Sequence, residues 1–120
     1  MANEIRIAVN VSLTKGNLSR TVRHNKTIDQ SGAGLYHNTV SVGTTEESIS
    51  TFGDVSTEGL ICLRNLDATN YVQWGFSTTV YGGRMAPGMV AGPFQAEPGL
   101  TLYLKANTAA CLVEVFVAEA

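Results

Sequence analysis

The chain has 120 residues, of which 44% are hydrophobic and only 15% charged, with a formal net charge of −2. That length fits one domain over residues 1–120, burying roughly two-thirds of the surface its unfolded chain exposes. The near-neutral balance excludes a general nucleic-acid binder, which needs a broad field of Lys and Arg. No apolar run approaches the ~20 residues of a membrane-spanning helix, and the start of the chain lacks the continuous apolar segment of a signal peptide. A charged fraction below the ~25% of an ordinary domain leaves two readings open. Neighbouring subunits cover part of the surface, or Thr, Ser, Asn and Gly stand in for charges on an exposed β surface.

In chain order, Ile5, Ile7, Val9, Val11 and Leu13 alternate with Glu4, Arg6, Ala8, Asn10 and Ser12. This period of two predicts a half-buried strand. Lys15-Gly16-Asn17 breaks it, and Leu18 to Ile28 scatters apolar residues among Arg, His, Asn and Thr, as an exposed edge strand does. Arg6, Lys15, Arg20, Arg23 and Lys26 are five of the eight basic side chains, against Glu4 alone among the first 28 residues, so this end is locally cationic. Glu46, Glu47, Asp54 and Glu58 bias the next region the other way. Such polarity either steers docking onto an acidic surface or marks a solvated face, and the solvated face is the commoner case.

Ser31 to Gly34 is a flexible break before a strand over Leu35 to Val42. Thr44 and Glu47 have capping-box spacing, but Ser48 to Phe52 is rich in β-formers, which favours a strand. Gly53 to Gly59 reads as a loop. From Gly59 to Phe76, two short strand-like runs flank the polar break Asn65-Leu66-Asp67-Ala68-Thr69-Asn70, a hairpin-like unit. Downstream, Gly82-Gly83, Pro87-Gly88, Pro93 and Pro98-Gly99 leave room only for strands. Leu100 to Lys105 is one more, and Ala106 to Ala109 turns the chain. In the last strand Cys111, Val113, Val115 and Val117 share one face, while Ala110, Leu112, Glu114, Phe116 and Ala118 share the other. Both faces are largely apolar, so this strand is central or covered by a neighbour. Roughly eight to ten short strands predict an all-β, antiparallel β-sandwich, jelly-roll-like in character.

Catalytic chemistry is not visible. His24 and His37 have no carboxylate at metal-ligand or triad-like spacing and read as surface or turn histidines. Cys62 and Cys111 lie in apolar runs and read as buried free thiols, with no partnering His for a zinc site. No Ser occupies a nucleophile elbow, and Gly82-Gly83 lacks the lysine of a phosphate loop. Neither a cofactor nor a metal is expected, and an enzyme is not. Among the aromatics, Trp74 and Phe76 fit core packing with Val72, leaving Tyr71 and Tyr103 as candidate exposed rings.

Arg64-Asn65-Leu66-Asp67-Ala68-Thr69-Asn70-Tyr71-Val72 and Leu102-Tyr103-Leu104-Lys105-Ala106-Asn107-Thr108-Ala109-Ala110 resemble small structural proteins of tailed-bacteriophage virions. Ala2-Asn3-Glu4-Ile5 and Val42-Gly43-Thr44-Thr45-Glu46-Glu47 fit the same resemblance, whereas the Pro/Gly-rich stretch from Met85 to Gly99 departs from it. The resemblance implies a virion component on the capsid surface, made in the bacterial cytoplasm. It is most similar to a capsid decoration, or cement, protein that binds the major capsid protein and itself as a homo-oligomer, a trimer, without nucleic acid or membrane. On that reading Lys15, Arg20, Arg23 and Lys26 dock on the capsid, and Leu112 and Phe116 pack between subunits. A neck, tail or fibre-base component and a carbohydrate-binding host-attachment module are the alternatives.

Overall fold

The computed structural model describes residues 4–119; Ala2 and Asn3, the start of one of the resembling segments, lie outside them. Ten strands and no helix occur among the described residues. They are β1 (Ile5–Lys15), β2 (Leu18–Ile28), β3 (Leu35–Val42), β4 (Glu47–Ile49), β5 (Leu60–Asn65), β6 (Val72–Gly75), β7 (Gly83–Met85), β8 (Val90–Gln95), β9 (Leu102–Ala106) and β10 (Cys111–Ala118). Every pairing is antiparallel. The chain divides into two compact units, one ending at Ser31 and the other beginning at Gly32.

The first unit is the two-stranded hairpin β1–β2, in register from Ile5 opposite Ile28 to Lys15 opposite Leu18. Its turn needs a residue in the left-handed region, and Gly16 supplies φ +57° without a Cβ penalty. Strict alternation gives the hairpin two unlike faces. One carries Ile5, Ile7, Val9, Val11 and Leu13 with Leu18, Val22 and Ile28, and also Lys15, Arg20, His24 and Lys26. The other is polar, with Arg6, Asn10, Ser12, Arg23 and Asn25. Ile5, Ile7 and Val9 are half-buried as the alternation predicts, but Val11 (60% exposed), Leu13 (49%), Leu18 (48%) and Val22 (64%) are open. Periodicity fixes which side chains share a face; it does not supply the element that covers them.

The second unit holds two four-stranded sheets, in the orders β3-β10-β5-β8 and β4-β9-β6-β7. Their inner faces form one core. Cys111, Val113, Val115 and Val117 of β10 meet Ile61 and Leu63 of β5, Ala91 of β8, Leu102, Leu104 and Ala106 of β9, Val72 of β6 and Met85 of β7. Phe52 and Val55, joined by an isolated bridge, plug one side. The last strand is central, as its two apolar faces predict: β10 lies between β3 and β5. Neither sheet closes on itself, so the unit is an open, sandwich-like stack of antiparallel layers. The expected strand over Ser48 to Phe52 is shorter and earlier, Glu47–Ile49.

One buried polar group organises the turn after β5. Asn65 is fully buried and its Nδ2 donates to the carbonyls of Asn70 (2.9 Å), Met85 (3.1 Å) and Ala86 (3.3 Å). Its Oδ1 accepts from the Asp67 amide at 3.0 Å. Asp67 continues the chain of local bonds, its Oδ2 accepting from the amides of Thr69 and Asn70. The polar break is therefore a wired turn, in which side chains supply the partners that a buried loop backbone otherwise lacks.

Candidate functional site

No group of three or more His, Cys, Asp or Glu side chains able to hold a metal ion occurs among the described residues. Their chemistry is distributed over faces. Of the four cations expected to dock together, Lys15, Arg20 and Lys26 share the apolar face of the hairpin, while Arg23 lies on the polar face opposite Asn10. The expected four-residue patch is thus split by the pleat, since residues an odd number apart point to opposite sides. Summed by unit, the hairpin carries five cations against Glu4 and Asp29, a net +3, and the rest of the chain three cations against eight carboxylates, a net −5.

Leu112 and Phe116 do share a face, the outer side of β10. Leu112 is 53% exposed. Phe116 is half-buried, its ring edge-on to His37 at 5.5 Å. Between them Glu114 bridges three strands, 2.7 Å from His37 Nε2 on β3 and 2.9 Å from Arg64 Nε on β5. The His37 hydrogen bond is the largest influence on the Glu114 carboxyl and, with the Arg64 charge, holds it below its ordinary value although desolvation, second in size, opposes them. His37 therefore does have a carboxylate, contrary to the spacing argument; the partner is 77 residues away and only strand register brings it near. Cys62 is across Phe116 from His37, so thiol and imidazole do not meet. Burial, reinforced by Glu114, raises the Cys62 thiol, the opposite of an activated nucleophile. Cys111 points to the inner side of the same sheet, and both thiols are free.

The same outer face has an exposed apolar cluster at one end. Leu66 donates its amide to the Leu112 carbonyl at 2.9 Å, and Val90 is opposite Arg64 one row away. Leu66, Val90 and Leu112 are 41%, 50% and 53% exposed.

On the other sheet, Gln73, Arg84, Tyr103 and Lys105 line the outer face by alternation. Tyr71 and Tyr103 are half-buried rather than open. The guanidinium of Arg84 is 4.0 Å from the centre of the Tyr71 ring, covering the surface a sugar would stack on. Trp74 packs inward as expected, stacked on Phe94 at 5.6 Å and 12°. Phe76 does not follow it; it is 44% exposed and meets Trp74 and Phe94 edge-on. The chain turns away from β6 immediately after Gly75, which leaves Phe76 at the rim of an apolar hollow of about 300 Å³ lined by Phe94, Ala96 and Leu100. Beyond it, the Glu46 carboxylate clasps the turn from Ser77 to Val80. It accepts from Thr78 Oγ1 (2.6 Å), the Thr79 amide (2.7 Å) and Tyr81 Oη (2.5 Å). Those bonds lower the Glu46 carboxyl and push the Tyr81 hydroxyl up to about 12. Thr79 is held there at φ +58°, a region L-residues with branched side chains seldom enter.

No family model, curated protein or solved structure matches the chain.

Proposed function

We propose that this chain is a virion structural protein that binds and stabilises an assembled phage head as a decoration protein, its second unit a jelly roll. The segregation of charge carries this reading: a +3 hairpin and a −5 second unit in one small chain make an electrostatically polarised adhesive, suited to orienting on a charged lattice. The jelly-roll assignment is supported by the strand orders β3-β10-β5-β8 and β4-β9-β6-β7, in which early strands pair with late ones in each of two sheets. Eight-stranded jelly rolls recur in viral capsid and lectin domains. The segments Arg64–Val72 and Leu102–Ala110, which resemble phage structural proteins, favour the virion over the lectin. The Arg84 guanidinium on Tyr71 also counts against a glycan platform. A protein that binds only the assembled lattice stabilises it by mass action, which is the physical task of a cement protein.

Mass analysis of purified particles of the encoding phage tests the reading. Copies in proportion to the major capsid protein support it. Absence from particles refutes it, and a few copies per particle point instead to a neck, tail or fibre-base part. Binding on a glycan array that Tyr71→Ala abolishes would transfer the protein to the host-attachment class.

A further inference from the structure

We propose that the second unit holds a binding site for a small organic cation, an ammonium carried on an aromatic or alkyl body, in two adjoining hollows that share residues 95–97 as a common wall. One is the apolar hollow of about 300 Å³ at Phe76, Phe94 and Leu100. The other, of about 360 Å³, is lined by Glu58 and Glu97 with Thr57 and Pro98. Volumes of this order suit small-molecule ligands. Glu58 is only 6% exposed. Its Oε2 accepts from the Gly99 amide at 2.9 Å, and its Oε1 has no hydrogen-bond or ion-pair partner among the described residues. Every fully closed-off side-chain nitrogen or oxygen among those residues does have a partner, so Oε1 is the part of Glu58 left open, and the hollow is what it opens to.

A buried carboxylate with an unused oxygen is costly until a cation meets it. This one is fixed in place, because the Gly59 amide donates to the Ala118 carbonyl at 3.0 Å and the Gly59 carbonyl accepts from the Ala96 amide at 2.9 Å. No Lys, Arg or His lines either hollow, and the unit around them carries a net −5, so the compensating charge comes from outside. A bare metal ion fits poorly. Glu58 and Glu97 have no third His, Cys, Asp or Glu beside them, far from the six or more oxygens that Ca²⁺ takes. A metal would also leave the aromatic hollow empty, with Phe76 44% exposed at its rim. An ammonium on an apolar stem uses both: the charge meets Glu58 Oε1 and the stem covers Phe76, Phe94 and Leu100. The inference goes beyond the decoration reading and stands whether or not the protein is found in virions.

Titration of the full chain with phenethylammonium chloride at constant ionic strength provides the test. The single tryptophan reads it, since Trp74 stacks on Phe94 and meets Phe76 edge-on, both in the wall of the apolar hollow. Saturable binding is expected with a Kd of about 1 mM or below, the range open to a ligand of this size. Two probes that each lack one half, neutral 2-phenylethanol and methylammonium chloride, should bind at least about tenfold more weakly. Glu58→Gln keeps an acceptor for the Gly99 amide but removes the charge, and should weaken phenethylammonium about tenfold with an unchanged circular dichroism spectrum. Phe76→Ala, at the exposed rim, should weaken phenethylammonium as well. No saturable binding by wild type overturns the inference. So does equal affinity for phenethylammonium and 2-phenylethanol, a comparison that needs no variant, or a folded Glu58→Gln chain that binds phenethylammonium as wild type does.

Discussion

Replacing Asn65 with alanine strikes the one buried side chain whose four hydrogen bonds tie the end of β5 to the turn at Asn70 and to β7 at Met85. An amide NH2 has two protons, so the bonds at 2.9 and 3.1 Å are the full ones and the 3.3 Å contact to Ala86 shares a proton. Every buried side-chain polar atom among the described residues has a partner, so the loss has no neighbour to absorb it. Losing the Asn65 bond to the buried Met85 carbonyl, which also lies opposite Val72 in the β6–β7 ladder, costs about 1–2 kcal/mol, and the half-exposed Asn70 carbonyl and Asp67 amide, which can recruit water, add roughly 0.5–1 kcal/mol each. The sum is about 3 kcal/mol, a large share of the ~5–15 kcal/mol that holds an ordinary domain together. At this chain length it lowers the melting temperature by roughly 10–15 °C. Urea unfolding followed by the single tryptophan, Trp74, which stacks on Phe94 in the same unit, reads the change directly. Asn65→Leu separates hydrogen bonding from packing, because leucine restores volume but not donors. A loss below about 1 kcal/mol for Asn65→Ala, or full recovery in Asn65→Leu, would refute the wiring argument.

Three further outcomes are expected. A Cβ on Gly75 would come within 2.3 Å of the Val80 carbonyl, whereas one on Gly82 meets nothing within 4 Å, so Gly75→Ala should destabilise by about 1–3 kcal/mol and Gly82→Ala hardly at all in the same urea assay. In a spectrophotometric titration one of the four tyrosines should ionise near pH 12, and Glu46→Gln should bring it back towards 10. Because the native hydroxyl is raised, the stability it contributes is complete below pH 10 and is lost as pH rises towards 12; an unchanged late titration in the variant would dissolve the Glu46–Tyr81 link. Glu46, Asp67, Glu114 and Glu119 are all held low by hydrogen bonds, led by Thr78, Thr69, His37 and Ser56 respectively. Their contribution is present above the ordinary carboxylate values of 3.8 and 4.5 and disappears as pH falls through the lowered native ones, so the urea midpoint should drop on acidification below that range; a flat profile down to pH 2 would contradict it.

Local pattern carried the strands further than the surfaces. The period of two in β10 and its two apolar faces foretold a central strand, and Gly16, the polar break at Asn65 and the Pro-Gly pairs marked real turns, but the hairpin-like unit expected over Gly59 to Phe76 does not form, because β5 and β6 belong to different sheets and the break carries the chain from one to the other. What the alternation of Ile5 to Leu13 could not say is that the face it defines is left open over Val11 and Leu13, since burial depends on a partner that no local rule names. Tyr71 looked open because nothing in its neighbourhood announces Arg84, which reaches its ring only once β6 and β7 are in register. The His37–Glu114–Arg64 bridge and the Glu46 clasp span dozens of residues and exist only as products of sheet register. The same rule split Arg23 from Lys15, Arg20 and Lys26: charges that cluster along a chain are divided between two faces once the chain becomes a strand.

The placement of β10 also sets an order of events during synthesis. Val42 pairs with Cys111 and Leu35 with Ala118, separations of 69 and 83 residues, so neither β3 nor β5 has its inner neighbour until β10 has left the ribosome. The hairpin, whose strands are joined by two residues, closes on a microsecond scale as soon as Ile28 is free. The second unit, built of distant pairings, is the slow step. During synthesis the nascent chain therefore holds a cationic segment that can close locally, followed by an acidic stretch in which β3 and β5 wait for β10, and its yield depends on how well those waiting strands avoid one another.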